Sequence, residues 1–245
     1  MIEDAIAVRL HAVVKHYRTG AGTVRAVDGV DLAVDAGSSV AIMGPSGCGK
    51  STLLGLVGGL EPPTSGSVEL GDRDISTLAE PERARIRRER IGFLFQSHDL
   101  LPFLTAAENV ELQLALSGAR DCRARTRRLL AALGLDEHAE RLPDQLSGGQ
   151  RQRVGIARAL VHGPGLVLAD EPTGELDTAA SNDVVELLLA VQREAGATLV
   201  VVTHDREVAR RLDRTVTLRD GRIADLPAGR AAAASLAGGG EGPPC

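Results

Sequence analysis

Lysine is nearly absent. Of the 28 basic residues in this 245-residue chain, only Lys15 and Lys50 are lysine. The arginine bias is compositional, and it makes a lysine at position 50 more informative. There is no excess of positive charge either: the formal net charge is −5, which argues against a general nucleic-acid binder. Cysteine is sparse and odd in number. Cys48, Cys122 and Cys245 stand far apart, supply no disulfide framework and lack zinc-ligand spacing, which suits a reducing cytosol. No apolar run approaches the roughly 18 residues that span a bilayer. Met1-Ile2-Glu3-Asp4 begins acidic, without a signal-peptide pattern. The chain is therefore expected in the cytoplasm, and any link to a membrane has to run through a partner. Its length suits one large domain, or one domain with an inserted lobe.

What is present centres on Gly44-Pro45-Ser46-Gly47-Cys48-Gly49-Lys50-Ser51-Thr52. This is a full match to the P-loop pattern of glycine, four residues, then Gly-Lys-Ser/Thr. Ser39–Met43 before it reads as a buried strand, and Ser51–Val57 after it as the first turns of a helix. Glycines at these places let the backbone curl so that successive N–H groups point inward and, with the positive end of the helix, hold a polyphosphate. Lys50 is placed to reach the β- and γ-phosphates, and the Ser51 hydroxyl to bind Mg²⁺. A Gly-rich turn that merely caps a helix would not need the whole pattern in strand–loop–helix context.

The chain around this loop reads as follows. Ala5–Lys15 and Val30–Val34 are expected strands, with Tyr17, the sole tyrosine, between them. An aromatic upstream of a P-loop can stack on a nucleotide base, although spacing alone favours a half-buried core residue. Pro62–Gly66 is a turn, Ser67–Leu70 a short strand, and Pro81–Arg90 a helix with interleaved arginine and glutamate on a solvated face. Ile91–Phe95 reads as a strand ending at Gln96. From about 97 to 162 the pattern becomes helical, with helices at Ala106–Leu116, Cys122–Leu133 and Gly148–His162 and a possible short one at Glu137–Arg141. Leu129, Leu130, Leu133 and Leu135 form a helix core face within this inserted lobe.

Leu146-Ser147-Gly148-Gly149-Gln150 places a hydroxyl and two glycines ahead of a helix, which makes a second anion site without its own lysine. By itself it is also ordinary helix-start chemistry. Gly165–Ala169 is an apolar strand ending in Asp170 and Glu171. Asp170 is placed to help hold Mg²⁺, and Glu171 is the candidate base that polarises the attacking water. Gly174–Asp177 is a loop, and a helix follows from Thr178 to about Glu194, with Val184, Leu187, Leu188 and Val191 on its apolar face. Thr198–Thr203 is a buried strand ending at His204. Arg214–Arg219 and Arg222–Ala224 form a last hairpin around Asp220-Gly221. Residues 227–245 are rich in Ala, Gly and Pro and are expected to be a disordered tail.

Taken together, these motifs resemble those of the ATP-binding-cassette family over roughly residues 5–225, so the domain is expected to span 1–226 with the helical lobe at about 97–162. The resemblance implies an α/β fold, a P-loop NTPase core with N-terminal antiparallel strands and an inserted α-helical subdomain. It implies ATP and Mg²⁺ as cofactors. The P-loop (Gly44, Pro45, Ser46, Gly47, Cys48, Gly49, Lys50, Ser51, Thr52), the stacking Tyr17, the signature residues Ser147, Gly148, Gly149 and Gln150, and Asp177 of the D-loop bind nucleotide. Glu171, His204, Gln96 and Lys50 are catalytic, with Ser51, Gln96 and Asp170 at the metal. Ile91–Ser97, Leu100-Leu101-Pro102 and Ala169–Gly174 are similar to the LolD/MacB/FtsE branch, whose members serve lipoprotein release, macrolide or peptide export and cell division. One departure is Glu175, where that branch usually has Asn.

The same resemblance implies a cassette dimer with each ATP between the P-loop of one copy and the signature of the other, and integral-membrane permease subunits as partners on the cytoplasmic face of the cell membrane. The alternative is a soluble member of the family acting on nucleic acid or ribosomes. A repair or chromosome-structure member would carry a long coiled coil between P-loop and signature. Lys50 and Leu146 stand only 96 positions apart, and nothing between them sustains heptads. A translation factor of the family would hold two cassettes, and here there is one.

Overall fold

The computed structural model describes residues 4–20, 22–95, 100–119, 121–174 and 178–225. Its first layer is an antiparallel sheet. Strand β1 (Val8–Thr19) pairs with β2 (Gly22–Val34) and with β4 (Ser65–Leu70), and β4 pairs with the two-residue β5 (Arg73–Asp74), in the order β2-β1-β4-β5. The hairpin is longer than the sequence suggests, and Tyr17 lies inside β1 opposite Val24 rather than between strands. The outer part of the hairpin is exposed, so it carries no alternating apolar face to betray a strand. Register shifts follow Leu10, where Ala12 takes a φ of 45°, and bend β1 as a β-bulge does.

The second layer is a six-stranded sheet. It is built from β3 (Ser39–Met43), β6 (Ile91–Leu94), β7 (Leu166–Asp170), β8 (Thr198–Thr203), β9 (Arg214–Arg219) and β10 (Arg222–Asp225), in the order β10-β9-β3-β8-β7-β6. All its pairings are parallel except β9–β10. Strands β3, β7 and β8 are almost continuously apolar because both faces of a parallel sheet are covered. The period of two divides their side chains cleanly. Ile42, Leu168, Val200 and Val202 point into a core shared with the helix α1 (Lys50–Val57) and with Val13, Val30 and Val68 of the antiparallel sheet. Ala41, Val167, Ala169 and Val201 point the other way, onto α6 (Thr178–Ala195) and α7 (Arg206–Arg210).

The expected helical lobe is present. After α2 (Glu80–Arg90) and β6 come α3 (Ala106–Leu116), α4 (Cys122–Ala132), two single 3₁₀ turns at Asp136–His138 and Pro143–Gln145, and α5 (Gly148–Leu160). A reciprocal capping box between Thr105 and Glu108 sets the start of α3. The lobe has its own core of Val110, Leu114, Leu130, Leu133, Leu135 and Leu146. Helix α5 belongs to both cores: Val154 and Ala157, with Val161 at its C-cap, pack into the lobe, while Ile156 and Leu160 pack against the main sheet. Spacings of three and four residues put these two sets on adjacent faces of one helix. Movement of the lobe is thereby tied to the sheet through α5.

His162 closes this junction. Its Nε2 lies 3.2 Å from the Ile91 carbonyl oxygen, to which it donates, while the buried Nδ1 has no partner. Burial pushes its pKa down to about 4 from 6.5; the Arg125 charge also lowers it, against the bond to Ile91. The ring is therefore neutral in the folded protein at pH 7 but readily protonated in the unfolded chain below pH 6.5. Its contribution to stability is complete above pH 6.5 and is lost as pH falls towards 4, by at most about 3 kcal/mol. His162→Gln keeps a donor for Ile91 and removes the titration. Between pH 7 and 4.5 the melting temperature of the wild type should fall more steeply than that of His162→Gln; parallel curves would contradict this assignment.

Candidate functional site

Three neighbouring strands end together. In the parallel register Met43 of β3 lies opposite Thr203 of β8, and Val202 of β8 opposite Asp170 of β7. The segments that leave these ends are the P-loop, His204 and Glu171. Ligands of open α/β sheets bind at this carboxyl edge. The topology thus gathers residues 44–52, 170–171 and 204 although they are scattered along the chain.

Close approach shapes the P-loop. A Cβ on Gly49 would stand 2.0 Å from the Ala26 carbonyl oxygen, and φ there is +103°; a Cβ on Gly44 would stand 2.2 Å from the Leu218 carbonyl oxygen. The loop is wedged between β2 and the β9–β10 turn, where Gly221 N donates to Cys48 O at 3.0 Å. Gly49 also starts α1 without a side-chain cap, and the first turn carries no acid. The leading N–H groups of the helix are thus left for an anion. Lys50 is 8% exposed. Its Nζ donates to Gly44 O (2.9 Å) and Pro45 O (3.2 Å), so the ammonium folds over the loop. Pro45, Ser46 and Gly47 form the exposed crest, while the Cys48 thiol is buried behind it. Tyr17 stands at the hairpin beside the end of α1, its hydroxyl donating to Glu61.

Asp170 and Glu171 differ in environment. Desolvation raises the Asp170 pKa, as does the charge of Glu171, while a hydrogen bond from the Ser51 hydroxyl and the Lys50 charge oppose it. Ser51 and Asp170 therefore bring a hydroxyl and a carboxylate together, both hard oxygen donors of the kind Mg²⁺ takes. Among the described residues no group of three or more His, Cys, Asp or Glu could hold a metal. Glu171 adopts φ 45°, unusual for a residue with a side chain, and its N–H donates to Val202 O at 2.9 Å. Its Oε2 accepts from His204 Nδ1 at 3.0 Å and from His204 N at 3.3 Å. His204 is held between β8 and the Asp205 cap of α7, and its ring stands open to solvent.

The Ser147 segment lies elsewhere, at the lobe end of α5. Ser147 Oγ accepts from Gln150 N at 3.2 Å, and Gln150 Oε1 accepts from Ser147 N at 2.9 Å, a capping box that presets the helix start. Ser147 is exposed, and a Cβ on Gly149 would meet nothing within 4 Å. The helix end is open to a ligand or to a second molecule. Gln96, Glu175 and Asp177 lie outside the described residues.

Two contributions escaped the sequence reading. Gln152 Nε2 donates to Pro172 O at 2.6 Å and is 1% exposed, linking the signature helix to the turn after Glu171. Its signal was available: Gln152 stands four and eight residues before Ile156 and Leu160, in a buried row of α5. Glu61 and Lys15 meet at Tyr17, a juxtaposition made only by the fold.

Comparison with known proteins agrees with this geometry. The family model described as ABC transporter matches residues 27–174. The lipoprotein-releasing system ATP-binding protein LolD of Legionella pneumophila (strain Lens) is 47% identical over 211 residues, covering 85% of this chain and 93% of that protein. LolD of Gluconobacter oxydans (strain 621H) is 47% identical over 221 residues, covering 89% and 96%. Among solved structures, the dimeric post-hydrolysis state of the ATP-binding cassette MJ0796 bound to ADP and Pi is 43% identical, with a TM-score of 0.83 over 89% of this chain and 97% of that one. With its P-loop, its acidic strand end and His204 at one sheet edge and its signature on a separate lobe, the chain belongs to the ABC transporter family.

Proposed function

We propose that this chain is the ATP-hydrolysing subunit of a transporter, that two cassettes close on ATP, and that closure drives an integral-membrane permease of the lipoprotein-release, macrolide-export or cell-division type. The observation that carries the reading is the convergence of the P-loop, Asp170-Glu171 and His204 at the ends of β3, β7 and β8. LolD, named as the ATP-binding protein of a lipoprotein-releasing system, supports the cargo class; the dimeric cassette with ADP and Pi supports the assembly.

In this reading the P-loop amides and Lys50 hold the β- and γ-phosphates, and Tyr17 stacks on the base. Ser51 and Asp170 hold Mg²⁺, joined by Gln96, which lies outside the described residues. The bound ion supplies charge neutralisation on the phosphates. Glu171 accepts a proton from the attacking water, and the bond from His204 Nδ1 aims its carboxylate and leaves Nε2 for the γ-phosphate. The signature Ser147, Gly148, Gly149 and Gln150, with Asp177 of the D-loop, completes the nucleotide site of the other copy. The γ-phosphate then bonds both halves, and its loss lets them part. Moving such a switch from 1:99 to 99:1 takes about 5.5 kcal/mol of differential binding, within reach of two nucleotides.

No helix among the described residues is long and apolar enough to cross a membrane. In this reading, which the LolD relatives support, the cassette works peripherally, on the cytoplasmic face of the permease. A groove of about 370 Å³ between α2, β6 and α3 is the receiving surface we assign. Leu60, Leu112 and Leu116, all exposed, line it together with Phe93, Phe95 and Leu101. Phe103, 72% exposed, stands two residues beyond Leu101. Exposed apolar patches of this kind mark interaction sites, and an apolar groove suits the apolar face of a short helix. Phe103→Asp should leave the melting temperature and the basal ATPase of the cassette nearly unchanged and lose co-purification with the permease. A large drop in melting temperature with permease binding retained would make Phe103 a core residue and remove the docking reading.

A further inference from the structure

Tyr17 is held from two sides. Its hydroxyl donates to Glu61 Oε1, while the other oxygen of that carboxylate takes the Lys15 ammonium at 2.7 Å. Lys15 Nζ also donates to Pro62 O at 2.8 Å and sits 5.3 Å from the centroid of the Tyr17 ring. Lys15 and Tyr17 are two apart on β1, so they project to the same face of the strand. Glu61 follows the end of α1 on a separate segment. Burial raises the Tyr17 pKa and the bond to Glu61 adds to it, so the phenol stays protonated and remains a donor to that carboxylate. A cation over an aromatic face is itself attractive. One carboxylate thus fixes the edge of the ring, and the cation it binds covers one side of the ring.

We propose that Glu61 and Lys15 are positioning residues for the nucleotide base: they pin Tyr17 so that a single ring face is offered to a stacking adenine. The proposal rests on the reading that Tyr17 stacks on the base. An unpinned tyrosine at the edge of a hairpin would have to be ordered on binding, and the loss would fall on ATP affinity. It would not fall on the chemical step, because Glu61 and Lys15 bond Tyr17, Pro62 and each other, whereas Glu171 is bonded by His204. Two of the most separated readings of these side chains, a surface ion pair and a base clamp, therefore predict different kinetics. A mere surface pair affects melting temperature slightly and KM not at all.

The test is steady-state ATPase of the full chain with melting temperatures measured in parallel. Tyr17→Ala should raise KM for ATP about fivefold to a hundredfold, the range set by base–aromatic stacking. Glu61→Ala should raise KM about twofold to tenfold, the worth of one hydrogen bond, with kcat held. Tyr17→Phe removes the same bond without touching Glu61 and should match that change, while Glu61→Gln, which keeps an acceptor, should lie closer to wild type. In a Tyr17→Ala background Glu61→Ala should add nothing. If Tyr17→Ala leaves KM unchanged, the stacking reading fails, and the proposal with it. If Tyr17→Ala raises KM but Glu61→Ala and Tyr17→Phe do not, or if the effects of Tyr17→Ala and Glu61→Ala are independent, stacking stands and the positioning role is overturned.

Discussion

Glu171→Gln should lower ATP turnover by about 10²–10⁴, the usual worth of a positioned general base, while ATP binding is kept. The expectation comes from geometry. Glu171 leaves the end of β7 with φ 45°, and its Oε2 is met by both the ring and the backbone N–H of His204. Glutamine has the same shape and can still present an oxygen to His204, so the local fold is preserved. What it loses is the ability to take a proton from water. The phosphate contacts are made by the P-loop on β3, two strands away in the sheet, and are untouched. The variant should therefore bind ATP and remain in the ATP-bound state. Single-turnover hydrolysis with a parallel nucleotide-binding titration reads both effects. Turnover near the wild-type rate would move the base role elsewhere, with His204 next in line.

Ser147→Arg should abolish turnover just as fully but for another reason. Ser147 caps α5, is exposed, and lies on the lobe rather than at the edge of the sheet. Losing the cap costs about 1 kcal/mol, a cost a domain with three packed cores can bear. A long cation there cannot enter a closed interface against a partner's P-loop. The monomer should bind ATP normally and fail to dimerise. Lys50→Ala is the opposite case, since its ammonium lies over the P-loop carbonyls and its loss weakens phosphate binding itself. Nucleotide affinity of the two monomeric variants separates them. Loss of ATP binding by monomeric Ser147→Arg would mean that the signature belongs to the site of its own chain.

Much of this site was legible in the residues because its local chemistry is restrictive. The P-loop pattern, the strand Ser39–Met43 before it and the strand Thr198–Thr203 before His204 have in the structure the bounds expected of them. Long apolar runs bounded by glycine or a polar turn leave few alternatives. Helix α3 has the expected bounds, and the structure supplies the capping box of Thr105 and Glu108 at its start. Exposed elements were less legible. The outer hairpin around Tyr17, the two-residue β5 and the five-residue α7 bury too little to impose a period. Contacts made by the fold were not legible at all. That β8 lies between β3 and β7 is set by the crossovers, and that Glu61 meets Tyr17 is set by where α1 ends. Gln152 falls between these cases: its row on α5 signalled burial, but only the structure supplied Pro172 as its partner.

The central claim is that one chain holds only half of each nucleotide site. The mass of Glu171→Gln in solution, measured by light scattering with and without ATP, tests it most directly. The account predicts a monomer without nucleotide, a dimer with ATP, and a monomer again with ATP when Ser147→Arg is added. A Glu171→Gln protein that stays monomeric at saturating ATP, or one whose ATP-dependent dimer survives Ser147→Arg, would contradict it.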